Sequence, residues 1–111
     1  MIDIKFYEDK KTHQISRIEM KGHAESGELG QDIVCAAVSS LVITTLNYLE
    51  KIDCLDENQV EADEENGGYL AVQFFLLELE EVVFMTDYLY FGLSEIQATY
   101  PQNLRVQKNI I

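Results

Sequence analysis

Two side chains, Cys35 and His23, are of the types that nucleophilic catalysis by a thiol requires, and they lie close together in the sequence. A cysteine hydrolase uses a thiolate to attack a carbonyl carbon, and it needs an imidazole within hydrogen-bonding reach to accept and return the proton. Residues 22–31, which include His23 and lead towards Cys35, hold three of the six glycines of the chain and show no apolar periodicity. This segment is therefore predicted to be a flexible loop that brings the two side chains together.

A helix is predicted to position Cys35. Asp32 is a good helix N-cap, and the apolar segment that follows, from Ile33 to about Leu49, contains no glycine or proline. In this interpretation Cys35 is the third helical residue, where unpaired N–H groups and the helix dipole stabilise a thiolate and can line an oxyanion hole. The pattern thus favours an activated nucleophile.

Each of these residues also has an ordinary structural interpretation. Cys35 is alternatively a small apolar side chain packed inside the helix, and His23 is alternatively a solvated loop histidine. Ser39, one helical turn after Cys35, either hydrogen-bonds to a helix carbonyl or polarises the site. Asp32 is either only a cap or also a carboxylate that orients His23. The residue types alone leave these alternatives open.

Hydrophobic periodicity predicts the elements that carry these residues. The strands are predicted at residues 2–8, 13–20, 57–64, 69–75 and 103–111, with a tight turn at 66–68, and the helices at residues 33–49 and 77–98. The order ββαββαβ predicts a layered α+β fold with a five-stranded sheet, in one domain spanning residues 1–111. Because two helices cover one face of such a sheet better than both, the remaining apolar surface is predicted to be buried in a homodimer.

The charge balance excludes some classes of partner. The formal net charge is −12, whereas a nucleic-acid-binding protein needs a basic face that displaces counterions from phosphates. The densest acidic segment, residues 50–65, is either a surface that attracts a basic polypeptide or a solvated face. The first ten residues mix charged and apolar side chains, and the apolar segment 72–85 is interrupted by glutamates. A cytoplasmic protein without a secretory signal or a membrane span is therefore predicted.

Neither cysteine is predicted to form a disulfide or to bind a metal. Cys35 and Cys54 could pair in principle, but a cytosolic chain with an ample apolar core does not need a disulfide. The sequence contains no C-x-x-C motif, and both histidines, His13 and His23, lie far from Cys54. A structural zinc site is therefore not predicted.

The sequence around the two catalytic candidates forms a specific motif. The chain has GHA at residues 22–24 and GQDIVCAAVS at residues 30–39. This pair of motifs resembles the signature of the ribosomal-processing cysteine protease family, Prp. The resemblance implies that His23 and Cys35 form a catalytic dyad.

The same resemblance implies supporting residues, a substrate and an assembly. The aspartate and serine of the family motif correspond to Asp32 and Ser39, which would support the site. Proteases of this family remove an N-terminal extension from a large-subunit ribosomal protein in Firmicutes and related bacteria, cutting after an aromatic pair. They use no metal or organic cofactor, and they are small α/β homodimers whose loop closes over the substrate. In this chain the residues of the motifs and the loop that would contact the substrate are Gly22, Ala24, Gly27 and Gly30.

Two functions other than proteolysis are alternatives. The chain could be a non-catalytic ribosome-associated adaptor that holds basic proteins on its acidic surface, with Cys35 only packing in the core. It could also be a thiol redox sensor, although Cys54 is a poor resolving cysteine for Cys35 because it lies far away in sequence. An activity that is lost on replacing Cys35 separates the protease from the adaptor.

Overall fold

The computed structural model describes residues 1–22, 29–63, 68–75 and 78–111, with only the backbone for residues 29–32. The strands are β1 (Ile2–Glu8), β2 (Ile15–Lys21), β3 (Val60–Asp63), β4 (Tyr69–Gln73) and β5 (Leu104–Ile110), and the helices are α1 (Leu29–Lys51) and α2 (Glu80–Thr99). The predicted order ββαββαβ and the single-domain α+β fold are confirmed.

The strands form one mixed sheet in the order β3-β4-β2-β1-β5. β1 pairs with β5 in parallel, while the other pairs of neighbours are antiparallel. Alternate residues of β1, namely Ile2, Ile4 and Phe6, are buried on one face. Successive side chains of a strand point to opposite faces, so this alternation defines an inner face that packs in the core and an outer face that carries polar residues.

Each helix packs one apolar side against the inner face of the sheet, and these surfaces together form the core. Helix α1 contributes Val34, Val38 and Val42, and α2 contributes Leu89 and Leu93, all of which are buried. Within each helix these residues recur at intervals of four, which places them on one side of that helix. The single core therefore fixes α1, and with it Cys35, against the inner face of the sheet.

Helix α1 is also long and apolar enough to cross a membrane, by length and composition only, because Ile33–Lys51 has a mean hydropathy of 1.5. Core helices of soluble proteins pass the same test, and in this fold Val38, Val42 and Leu49 of α1 are buried in the protein core. Of this segment 33% is buried in the protein, so packing within the domain accounts for the apolar residues on that side of α1.

The element boundaries differ most from the predicted ones at three places. Residues 57–59 form a short 3-10 helix ahead of β3, because Asp56 accepts a hydrogen bond from the Asn58 N–H and donates its own N–H to the Gln59 side chain. Helix α2 begins at Glu80 rather than at residue 77. Helix α1 begins one turn earlier than predicted. The residues of the predicted tight turn other than Gly68 lie outside the described part of the chain.

A hydrogen-bonded cluster on the outer face joins β1, β2 and β4. The Glu19 carboxylate accepts hydrogen bonds from the Tyr7 hydroxyl at 2.8 Å, the Arg17 guanidinium at 3.1 Å and the Tyr69 hydroxyl at 3.4 Å. The hydrogen bond from Tyr7 is the main cause that lowers the pKa of Glu19, and Arg17 acts in the same direction while burial opposes both. The ionised form of Glu19 is thus the one that stabilises the fold.

Replacing Glu19 by glutamine is therefore expected to lower the free energy of unfolding by about 1 kcal/mol at pH 7. Since the folded-state pKa of Glu19 lies below the unfolded-state value, its contribution is present above the unfolded-state pKa and is lost as the pH falls through the folded-state pKa. Urea unfolding should show the difference from wild type shrinking as the pH falls below the unfolded-state pKa. Glu61→Gln, at an exposed position of β3, is the control and should change stability by less than about 0.5 kcal/mol.

Candidate active site

Cys35 lies in the second turn of α1, is half-buried, and lines a cavity of about 370 Å³. Ser39, one turn further along α1, lines the same cavity, as does Gly22 at the end of β2. The structure therefore brings together three of the residues that the sequence motifs single out. A half-buried thiol beside a cavity can reach a bound carbonyl group, which a fully packed cysteine cannot do.

The start of α1 corrects the predicted role of Asp32. Because α1 begins at Leu29, Asp32 is inside the helix and is not its N-cap, and Cys35 is not in the first turn. One glycine, Gly30, costs a helix only about 1 kcal/mol, and the packing of a 23-residue helix offsets this amount. The unpaired N–H groups of the first turn belong to residues 29–32, so Cys35 cannot use them as predicted.

Several other predicted site residues fall in or beside the segment that is not described. His23, Ala24 and Gly27 lie outside the described residues, so their predicted roles stay predictions. Gly30, which was predicted to be part of the loop, belongs instead to the first turn of α1. Helix α1 therefore begins within the segment that was predicted to be the loop.

Gly22, the last described residue before His23, has a backbone that only glycine suits. Its φ is 90°, and a Cβ atom at this position would overlap the carbonyl oxygen of Met1. Its N–H donates a hydrogen bond of 2.9 Å to the carbonyl oxygen of Gly68, which also has a positive φ. These contacts fix the point at which the chain leaves β2, immediately before the predicted catalytic histidine.

Replacing Gly22 by alanine is expected to destabilise the fold by about 2–3 kcal/mol, because positive φ and backbone overlap act together. Chemical denaturation measures this loss. Gly92→Ala in α2 is the matched control, since its added Cβ would meet only the flexible end of the Leu41 side chain and alanine is the better helix former. A Gly22→Ala protein as stable as the Gly92→Ala protein would contradict the expected overlap.

Cys54, the second cysteine, has a different environment from Cys35. It is buried, and its thiol donates a hydrogen bond of 3.7 Å to the carbonyl oxygen of Ile52. Burial raises the pKa of the Cys54 thiol, and the nearby carboxylates of Glu81 and Asp53 raise it further. Cys54 is therefore held as a neutral, inaccessible thiol, which is the opposite of what a nucleophile needs.

The apolar wall of the Cys35 cavity comes from residues that the sequence analysis did not single out. Met20 of β2 pairs with Leu70 of β4, and Leu70 pairs with Ala62 of β3, so the three form one row across the inner face. Val38 and Ile43 of α1 also line the cavity. A cavity with this lining can accept an apolar side chain of a bound peptide next to the thiol.

The comparison with known protein families identifies this arrangement. The sequence profile described as "Cysteine protease Prp" matches residues 1–105. The chain belongs to the Prp family of cysteine proteases. Family membership favours a peptide hydrolase over the adaptor and the redox sensor.

Two curated Prp proteins are similar to this chain over most of their length. The ribosomal processing cysteine protease Prp of Bacillus subtilis is 34% identical over 105 residues, which cover 87% of this chain and 88% of that protein. The Prp protein of Staphylococcus aureus is 27% identical over 93 residues, which cover 84% and 86% of the two chains. The similarity thus includes nearly the whole domain.

Solved structures share the fold. The crystal structure of SMU.848 from Streptococcus mutans has a TM-score of 0.88 and 30% identity, covering 100% of this chain and 96% of that chain. S. aureus Prp in complex with a substrate peptide has a TM-score of 0.84 and 21% identity, covering 98% and 100% of the two chains. S. aureus Prp has also been solved with a covalently linked product peptide, with a TM-score of 0.81 and 23% identity over 98% and 100% of the chains. Because the two S. aureus structures are only 23% and 21% identical to this chain, their similarity establishes the fold alone.

Proposed function

We propose that this protease removes the N-terminal extension of a large-subunit ribosomal protein precursor, with Cys35 as nucleophile and His23 as general base and acid. The observation that carries the proposal is the position of Cys35, half-buried on α1 and lining an apolar cavity next to Gly22, the residue before His23. The curated relatives are named for ribosomal processing. Their name supports the substrate class.

The proposed reaction has two steps. The Cys35 thiolate attacks the carbonyl carbon of the scissile peptide bond, and His23, which holds the thiol proton, gives it to the leaving amine. The C–N bond breaks and a thioester to Cys35 forms. Water then attacks the thioester carbonyl carbon while His23 accepts a proton from it, and the thiolate leaves. Neither step requires a metal or an organic cofactor.

The cavity supports a cut next to bulky apolar residues. Its wall of Met20, Leu70, Val38 and Ile43 offers apolar contacts to the side chains that precede the scissile bond. Its volume of about 370 Å³ is in the range of pockets that bind compact apolar groups. Cleavage after an aromatic pair, which the motif resemblance implies, fits this lining.

The test is incubation of the purified, reduced protein with a peptide that spans the end of such an extension, read by mass spectrometry. One cleavage, immediately after the aromatic pair, is the expected result. The same peptide with the aromatic pair changed to two serines should be cut far more slowly, because serine loses the apolar contacts. A folded protein that binds the precursor but cuts no peptide would point to the adaptor instead.

The protein is proposed to act in the cytoplasm, where ribosomal proteins are made. The two cysteines are free thiols in the structure, which fits a reducing compartment. A Cys35 nucleophile also requires its thiol to stay reduced. Fractionation of cells that produce the tagged protein should recover it with the cytosolic markers, and recovery in the culture medium would contradict this placement.

A homodimer is proposed through the outward side of α2. Phe84, Tyr88 and Phe91 are 68%, 56% and 62% exposed, and the rings of Phe84 and Tyr88 stack with centroids 6.5 Å apart. Three large exposed aromatic side chains on one side of a helix form the kind of apolar patch that a symmetric interface buries. We propose that the same three side chains of a second copy of the chain pack against this patch.

Replacing Phe84 and Phe91 together by serine is expected to weaken dimer formation at least about 100-fold, because buried aromatic side chains dominate interface energy. Sedimentation velocity over a range of protein concentrations measures the change. The control is Tyr48→Ser on α1, which removes an aromatic ring that is 49% exposed and lies outside the α2 row. An unchanged dimer in the double variant would place the interface elsewhere.

A further inference from the structure

A groove separate from the Cys35 cavity lies near the other end of β1. Its volume is about 720 Å³, and its lining comes from the β1–β2 connection, α2 and β5. Ile2 at the start of β1 lines the Cys35 cavity, whereas Glu8 at the end of the same strand lines the groove. Because a strand rises about 3.3 Å per residue, the two regions are roughly 20 Å apart. The groove is thus too far from Cys35 to hold the scissile bond itself.

The groove is acidic. Its carboxylates come from three different parts of the chain and are those of Glu8, Glu78, Glu80 and Asp87. The basic side chains in its lining are His13 and Lys108, and the Lys108 ammonium lies 4.2 Å from the centroid of the Tyr90 ring. Four carboxylates against these two basic side chains leave an excess of negative charge in the lining, even with the His13 Nδ1 only 3.9 Å from a Glu8 carboxylate oxygen, so the groove attracts a cationic ligand.

The shape and apolar lining of the groove favour a cationic polypeptide over a metal ion. Within the described residues no group of His, Cys, Asp and Glu side chains converges closely enough to hold a metal, so the carboxylates are spread along the groove. Val83 and Tyr90 also line it, and the apolar contact does not require Phe84, which lies where the groove meets the proposed dimer face. Apolar and aromatic surfaces of this kind pack against the alkyl stems of lysine and arginine.

We propose that this groove binds a lysine- or arginine-rich segment of the ribosomal protein precursor while the scissile bond lies at Cys35. The proposal rests on the proposed function, and it adds a second contact with the same substrate. Charge complementarity selects the occupant, because a protein that binds ribosomal RNA carries basic side chains for its phosphates, and the groove supplies carboxylates that attract them. The groove thereby distinguishes a ribosomal precursor from another protein with an aromatic pair.

The separation of the two regions sets the required substrate length. Since an extended chain spans at most about 3.5 Å per residue, six or more residues must lie between the scissile bond and the bound basic segment. A peptide that ends three residues after the cut cannot reach the groove. A peptide that continues for about fifteen residues and carries several lysines can do so.

The test compares KM and kcat for three peptides: the short one, the long one with lysines, and the long one with those lysines changed to glutamine. The groove variant is Glu80→Gln with Asp87→Asn. The control variant is Glu81→Gln with Glu95→Gln, which removes the same charge from the same helix at residues outside the groove lining. Sedimentation velocity confirms that the variants have the assembly of the wild type.

For the wild type, the lysine peptide is expected to have a KM about five- to tenfold lower than that of its glutamine form, with the same kcat. The groove variant should lose this difference, the control variant should keep it, and the short peptide should be cut equally by all three proteins. Equal KM values for the two long peptides, or an equal loss in both variants, would overturn the groove proposal. A wild type that cuts none of the peptides would overturn the proposed function, and the groove proposal with it.

Discussion

Replacing Cys35 by alanine is expected to reduce peptide cleavage by roughly 10⁴-fold or more, because no other group can form the thioester. The fold should survive, since Cys35 is half-buried in α1 and alanine is a good helix former. Mass spectrometry of the peptide measures the loss of activity, and circular dichroism with a thermal melt confirms that the protein is folded. Wild-type enzyme treated with iodoacetamide should lose activity with one alkyl group on Cys35.

The matched control is Cys54→Ala, which removes the other thiol. Cys54 is buried beside Glu81 and Asp53, so its loss is expected to cost about 1 kcal/mol of stability and to leave kcat unchanged. If Cys35→Ala kept its activity and Cys54→Ala lost it, the nucleophile would have been misassigned. If both variants kept it, the chemistry would not use a thiol of this chain.

The fold was predictable because its main signals are local. The alternation of Ile2, Ile4 and Phe6 with polar residues predicts β1, and each of the three is buried as the pattern requires. The spacing of Val82, Leu89 and Leu93 by seven and four residues, which is two turns and one turn of a helix, predicts the core side of α2 in the same way. Such patterns depend only on neighbouring positions, so tertiary context does not change them.

The start of α1 could not be predicted from the same signals. The good capping residue Asp32 and the glycines before it indicated a later start, but the helix continues back through Gly30 to Leu29. The local preference of one glycine is weaker than the packing of a long helix. This error changed the chemistry attributed to Cys35, because it had placed the thiol one turn nearer to the free N–H groups.

The walls of the Cys35 cavity are formed by residues that lie far apart in the sequence. They could therefore not be predicted from local patterns. Met20, Leu70 and Ala62 meet because β2, β4 and β3 are neighbours in one register, and local patterns in the sequence do not show which strands are neighbours. The exposed side of α2 is a similar case. Its periodic apolar residues predicted the buried side. Phe84 and Phe91 are recognised as exposed residues of the other side only once the packing of the helix is known.

Replacing His23 by asparagine is expected to lower kcat for the short peptide by about 10²–10⁴-fold, the usual contribution of general acid–base catalysis. Asparagine is polar and of similar size, but it cannot accept and return the thiol proton. The pH dependence separates catalysis from positioning: the rate of Cys35 alkylation by iodoacetamide should change with pH differently in the variant, because the imidazole no longer shares the proton of the thiol.

His13→Asn is the matched control for the histidine prediction. His13 is 78% exposed, has a φ of 61° that asparagine tolerates, and lines the acidic groove rather than the Cys35 cavity. Its replacement should leave both kcat for the short peptide and the alkylation profile at wild-type values. If His23→Asn cleaved as fast as His13→Asn, Cys35 would have a different proton acceptor. The assignment of His23 as general base would then be wrong, while that of Cys35 as nucleophile would hold. If His23→Asn lost cleavage but kept the wild-type alkylation profile, His23 would act on the leaving amine and the attacking water, and Cys35 would be ionised without it.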